Sequence, residues 1–220
     1  PIVGEIEAEL FARRFGENYH VLEKLGSGVS GTSWLARHES ENEMNLVVIK
    51  EARAASNFKD LDTEFVNSRN FDAHPRCSRG LFLIPDPAPG FLVNTYMNGM
   101  TLKKFLEIDR LDISYVEAAF LSSLDALNHI HKHGYIHGDI SPNNILVEDN
   151  TGVASLIDFG DLRKFGVHTS VFGTRRTYAP EVANLGHVNE LTDIYALSAT
   201  FLYLLLGHSH REFEKGDQID

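Results

Sequence analysis

The sequence has one cysteine, Cys77, one tryptophan, and no apolar run long enough to span a bilayer. A lone cysteine excludes an internal disulfide and fits a reducing, cytosolic compartment, the expected setting, although a secreted protein without disulfides has the same signature. A membrane span needs about 18 apolar residues or more. The longest apolar stretch, 199–206, is shorter and reads as a buried helix. The N-terminus lacks the basic-then-apolar layout of a signal peptide. Positive charge is also scarce: 20 Lys and Arg face 31 Asp and Glu, and the net charge of −11 would repel nucleic acid and anionic lipid. Neither a nucleic acid nor a membrane is therefore an expected partner. No repeat or low-complexity segment appears. What remains is 220 residues, 43% hydrophobic and 10% aromatic, enough for one domain or two small lobes. The first residue is Pro1 and the last, Asp220, lies in a charged stretch, which is the expectation for part of a larger polypeptide.

Residues 1–18 are loosely amphipathic through Ile6, Leu10, Phe11 and Phe15, and Tyr19–Leu25 alternates like a half-buried strand. Further strands are predicted around Ser33–Ala36, at Leu46–Lys50 and at Phe91–Tyr96, the last after a turn containing Pro85, Pro87, Pro89 and Gly90. Phe58, Leu61, Phe65 and Val66 fall at helical spacing within 58–71. From Thr101 onward the chain reads mainly as helix. The clearest helix runs from Tyr115 to His133, with a capping box at Ser114 and Glu117 and a buried face of Val116, Phe120, Leu121, Leu124, Leu127 and Ile130. Gly134 stands at its left-handed cap. Short strands follow at 145–147 and 154–157, and a final apolar helix covers 191–206.

Three features carry chemistry. Gly26, Ser27, Gly28 and Gly31 lie between two strands, where a hairpin without bulky side chains brings backbone amides over phosphates; a plain flexible turn fits equally well. A dinucleotide fold would place a helix after these glycines, whereas Trp34-Leu35-Ala36 reads as strand. Lys50 ends an apolar strand, either as a solvated end or as an ammonium awaiting an anion. Glu64 is the best-placed carboxylate to orient it, with Asp60 and Asp62 as alternatives. The most specific segment is His137-Gly138-Asp139-Ile140-Ser141-Pro142-Asn143-Asn144, followed by Asp158-Phe159-Gly160. An aspartate five residues before an asparagine, with a second aspartate 14 residues beyond it, supplies one base and two oxygen ligands for Mg ions.

In this order and spacing the chain resembles the eukaryotic-like Ser/Thr protein kinase catalytic domain from Tyr19 to about Leu206. The resemblance implies a two-lobed α+β fold with an N-terminal extension over 1–18, a small lobe over 19–94 and a mainly helical lobe over 95–220. It implies ATP and Mg as cofactors. Gly26, Gly28 and Gly31 would cover the phosphates, Lys50 would grip them, Asp139 would accept the substrate hydroxyl proton, and Asn144 and Asp158 would hold metal. Leu25, Val48 and Leu146 would flank adenine, Thr95 and Met97 would meet its edge through their backbone, and Asn94 would take the gatekeeper position. Gly173, Thr174 and Ala179-Pro180-Glu181 look like the end of an activation segment, and Asp193 resembles the aspartate that braces the catalytic loop. Thr174 favours serine and threonine substrates over tyrosine; the particular protein substrate is not legible.

Departures accompany the resemblance. Gly138 replaces the arginine that usually precedes the catalytic aspartate, which predicts activity without phosphorylation of Thr169 or Ser170. Ser141 replaces a lysine, Ser33 replaces a valine, and Glu64 follows Lys50 by only 14 residues. Only 39 residues follow Glu181, so the large lobe is expected to be shortened, and no arginine is evident to pair with Glu181. Alternative readings are a small-molecule kinase of the aminoglycoside or choline type, and a pseudokinase that binds nucleotide as a regulatory module. Glu181 and the three glycines favour the protein kinase reading over the first; intact Lys50, Asp139, Asn144 and Asp158 favour it over the second. His129, His131 and His133 are expected on the surface, because helical residues two apart cannot converge on one ion, with His137 packed inside.

Overall fold

The computed structural model describes residues 18–28, 31–40, 43–85, 89–105, 113–167, 174, 177, 179–184 and 186–205. The expected amphipathic segment before residue 18, and Pro87, Thr169, Ser170, Gly173 and Leu206, lie outside these residues. The chain forms two compact units. One runs to Arg69 and includes Arg79–Tyr96; the other takes Asn70–Ser78 and the chain from Met97 onward.

The first unit is a five-stranded antiparallel sheet in the order β1-β2-β3-β5-β4. Its strands are β1 (Tyr19–Ser27), β2 (Gly31–Ser40), β3 (Glu43–Ala52), β4 (Gly80–Ile84) and β5 (Phe91–Thr95). Alternation sorts β3 and β5 into two faces. Val47, Ile49, Phe91 and Val93 pack with Ala36 on one, while Ala52 and Leu92 pack with Leu61 of helix α1 (Phe58–Asn67) on the other. Burying each of these larger side chains contributes roughly 1.5–3 kcal/mol. The helix ends earlier than the predicted 58–71, and Val66 is exposed rather than part of its apolar face. Strand β4 has no counterpart in the sequence reading: its run Gly-Leu-Phe-Leu-Ile does not alternate, and its pairing with β5 slips between Gly80 and Phe82.

The second unit is mainly helical. Short strands β6 (Met100–Thr101), β8 (Ile145–Val147) and β9 (Ala154–Leu156) form one ladder, and β7 (Tyr135–Ile136) pairs with β10 (Arg163–Lys164). The helices are α2 (Leu102–Phe105), α3 (Ile113–Lys132), α4 (Pro180–Ala183) and α5 (Glu190–Leu205). The main core joins Val116, Ala119, Leu127 and Ile130 of α3 to Leu197, Phe201 and Leu204 of α5. Two sequence expectations for α3 are corrected. Ser114 lies inside a helix that already includes Ile113, so it is not the N-cap, and Leu121 is exposed because it falls off the buried stripe. Gly134 has φ +80°, as a left-handed cap requires, and its N–H donates to His131 O.

Segment Asn70–Ser78 is stitched into this unit by Leu156 N–H to Arg76 O at 2.8 Å and Ser78 N–H to Leu156 O at 2.9 Å. Phe71 and Cys77 enter the core there. Burial pushes the Cys77 thiol up to about 12, so it stays protonated and unreactive at neutral pH. No helix among the described residues is long and apolar enough to cross a membrane.

Candidate active site

In the first unit, Lys50 stands near the end of β3 on the face covered by α1. Its Nζ donates to Glu64 Oε1 at 2.6 Å, and both side chains are largely buried. The carboxylate choice left open between Glu64, Asp60 and Asp62 is thereby decided, since Asp60 and Asp62 are exposed on the helix. A single 3-10 turn, Ala55–Asn57, joins β3 to the helix, so a spacing of 14 residues is enough for the pair to close. Asn94 Nδ2 donates to the same Oε1 at 3.3 Å.

The glycines differ in what they permit. A Cβ on Gly31 would lie 1.9 Å from Glu51 O, so the cross-strand approach itself demands glycine there. A Cβ on Gly26 or Gly28 would meet nothing within 4 Å, which leaves their backbone open to a ligand. The hairpin tip is tied by Gly28 N–H to Gly31 O at 2.8 Å and by Arg53 Nη2 to Gly28 O at 2.7 Å. Leu25 is exposed at the end of β1, and Val48 and Thr95 are half-buried on β3 and β5.

In the second unit, Asp139 is gripped from two directions. Asn144 Nδ2 donates to Asp139 Oδ2 at 2.7 Å and to Asp139 O at 2.9 Å. Thr174 Oγ1 donates to Asp139 Oδ1 at 2.7 Å. Thr177 Oγ1 donates to Ile140 O at 2.9 Å, which ties the loop to the segment carrying Thr174. Asp193 on α5, 1% exposed, accepts His137 N–H at 2.8 Å and Gly138 N–H at 3.1 Å and pairs with His131 Nε2 at 2.8 Å. Gly138 has φ +85°, and a Cβ would lie 2.2 Å from Asp161 O, so the residue in the arginine's place also answers a backbone constraint.

Ile157 N–H donates to Asn144 O at 3.0 Å, which sets Asp158 one residue beyond that contact. Asp158 has φ +66°, the only positive φ outside glycine among the described residues. Such conformations persist where surroundings enforce them and cluster at functional sites. Phe159 beside it is fully buried, with its ring 5.1 Å from Phe71 and 4.9 Å from His137. Leu146 is half-buried on β8, and Met97 follows the first unit's last residue.

His131 is a correction: it is mostly buried on Asp193 rather than on the surface. The signal was available, since His131 continues the Leu124 and Leu127 stripe at helical spacing. His137 is fully buried, as expected. Among the described residues no group of three or more His, Cys, Asp or Glu could hold a metal ion. Among the described residues the partner of Glu181 is a hydroxyl: Thr192 Oγ1 donates to its Oε1 at 2.6 Å. Ser141, in the lysine's place, is 1% exposed, and its Oγ has no hydrogen-bond partner among the described residues.

A fold of this class, with a lysine–carboxylate pair in its sheet unit and an Asp–Asn–Thr cluster in its helical unit, matches the family model described as protein kinase domain over residues 19–219. The chain belongs to the protein kinase family. Among curated proteins it is 29% identical over 223 residues to serine/threonine-protein kinase D of Synechocystis sp., covering 92% of this chain and 43% of that protein. It is 29% identical over 222 residues to serine/threonine-protein kinase F of the same organism, covering 88% and 45%. Serine/threonine-protein kinase nekl-2 of Caenorhabditis elegans is 27% identical over 207 residues, covering 86% and 57%. The chain thus spans about half the length of these relatives.

Proposed function

We propose that this domain transfers the γ-phosphate of ATP, with Mg, to serine and threonine hydroxyls of proteins, its own included. The observation that carries the reading is the Asp139 carboxylate, with Oδ2 held by the Asn144 amide and Oδ1 accepting from the Thr174 hydroxyl. It is oriented, and its second oxygen already receives a hydroxyl proton donor, the chemistry expected of a base for a hydroxyl nucleophile.

The residues of this chain divide the work. Lys50, aimed by Glu64, neutralises phosphate charge. Gly26, Ser27 and Gly28 present backbone to the phosphates with no side chain crowding the two glycines. Leu25 and Val48 of the first unit would offer apolar surface to the adenine, with the backbone of Thr95 at its edge. Asp139 accepts the hydroxyl proton as the oxygen attacks phosphorus, and the proton stays on its carboxyl as ADP leaves. Asn144 has spent its Nδ2 on Asp139, so its side-chain oxygen would serve, with the Asp158 carboxylate, as a metal ligand. These hard oxygen donors fit Mg, which takes one or two protein ligands and completes its shell with phosphate and water. The metal would supply electrostatic stabilisation of the transferring phosphoryl group.

With Gly138 in place of a phosphate-reading arginine, activity would not require phosphorylation of Thr169 or Ser170. The partner is a protein substrate rather than nucleic acid or lipid, and the setting cytoplasmic. Labelled ATP with Mg, offered to the chain and to a generic protein substrate, tests this reading. Label on Ser or Thr that is lost with chelator and in Asp139→Ala is expected. Nucleotide binding without transfer would contradict it, as would transfer only to small alcohols.

A further inference from the structure

Asn94 is 4% exposed on β5, opposite Val48 of β3 and Gly80 of β4. Alternation puts its side chain on the face that carries Lys50 and Leu92. There its amide meets an oxygen that also holds the lysine: Oε1 of Glu64 takes Lys50 Nζ at 2.6 Å and Asn94 Nδ2 at 3.3 Å. The amide's orientation follows from chemistry, since the flipped form would set its carbonyl oxygen against a carboxylate.

The helix is brought to this donor by its far end. Gly80 N–H donates to Ser68 Oγ at 2.9 Å, Ser68 Oγ donates to Phe65 O at 3.0 Å, and Arg69 Nη1 donates to Gly80 O at 3.0 Å. A Cβ at Gly80 would lie 2.7 Å from the Phe65 ring, so glycine opposite Asn94 lets the helix close on the sheet. The latch and the amide together fix Glu64 over Lys50.

We infer that Asn94 is a positioning residue that holds the Glu64 carboxylate on Lys50, so the sheet itself keeps the lysine pair closed. The inference rests on the proposed phosphotransfer reading. Asn94→Leu removes the donor at nearly constant volume. Its kcat should fall about tenfold, the equivalent of one hydrogen bond to a charged group, while KM for ATP moves less than about threefold.

Asn94→Asp places a second carboxylate beside Glu64, and two carboxylates sharing a site raise an apparent pKa of the pair. Its activity relative to the parent should therefore be lowest near pH 8 and climb as pH falls toward 6 and the shared proton restores a donor. In a Glu64→Ala background, Asn94→Leu should cost less than about twofold more, because no side-chain oxygen remains there to accept from the amide.

A kcat within about twofold of the parent for Asn94→Leu, or a pH-independent ratio for Asn94→Asp, would overturn the inference. Thermal melts check folding, and if Asn94→Leu fails to fold, the pH ratio of the isosteric Asn94→Asp decides. If the parent itself transfers no phosphate, the phosphotransfer reading fails separately. The pH dependence of MgATP affinity in Asn94→Asp against parent then decides the inference, and a constant ratio counts against it.

Discussion

Two buried carboxylates organise this molecule, Glu64 in the first unit and Asp193 in the second, and they are held in opposite ways. Within its unit Glu64 is held by side chains, the Lys50 ammonium and the Asn94 amide. Asp193 is held by two backbone amides, of His137 and Gly138, and by the His131 ring. A carboxylate bonded to backbone is part of the loop's folded geometry and releases only with local unfolding. One bonded to long side chains can let go while the sheet and helix stay intact. On these contacts the loop carrying Asp139 is expected to be the fixed half of the proposed chemistry and the lysine pair the adjustable half.

The largest effect expected of this contrast is in Asp193→Ala. It strands the His137 and Gly138 backbone donors and a mostly buried imidazole, for a loss of about 3–5 kcal/mol, read as a lowered midpoint in denaturant. The glycines make a matched pair for the next test. Gly138→Ala forces a left-handed residue against Asp161 O and should cost about 1–3 kcal/mol. Gly80→Ala meets the movable Phe65 ring and should cost about 1 kcal/mol, yet it should lower kcat by displacing Glu64 from Lys50. If the two variants lose stability equally and Gly80→Ala keeps full kcat, the contrast between fixed and adjustable halves is broken.

A smaller effect comes from His74, whose pKa is lowered by burial first, then by His129 and Arg76, with Asp125 opposing. Folding therefore favours the neutral ring. Its contribution is complete above the ordinary histidine value of about 6.5 and is lost as pH falls below it. Melting temperature should drop more between pH 7 and 5.5 in the parent than in His74→Gln, in which position 74 does not titrate. Parallel curves would remove His74 from the account.

The sequence disclosed most where chemistry restricts residue choice. The run from His137 to Asn144, Asp158 and Lys50 marks the candidate site because few other roles call for those residues at those spacings. Gly134 marked a helix end because few residues accept its φ of +80°. Patterns read less well where an apolar run hides which side is buried. Spacing alone puts Leu121 and Val66 in cores from which they project, and β4 gives no strand signal because it does not alternate. Least legible were partners set by tertiary approach. Thr192 answers Glu181 across 11 residues and Asn94 reaches Glu64 across 30, and neither pairing leaves a local motif.

Asp139 is proposed as a base already oriented by Asn144 and Thr174. Asp139→Asn keeps the shape and removes the proton acceptor, so the most direct measurement is its rate of γ-phosphate transfer beside its melting temperature. A fall of about 10²-fold or more with a melting temperature close to the parent's is the expected result. A folded Asp139→Asn protein that transfers phosphate at the parent rate would contradict the account.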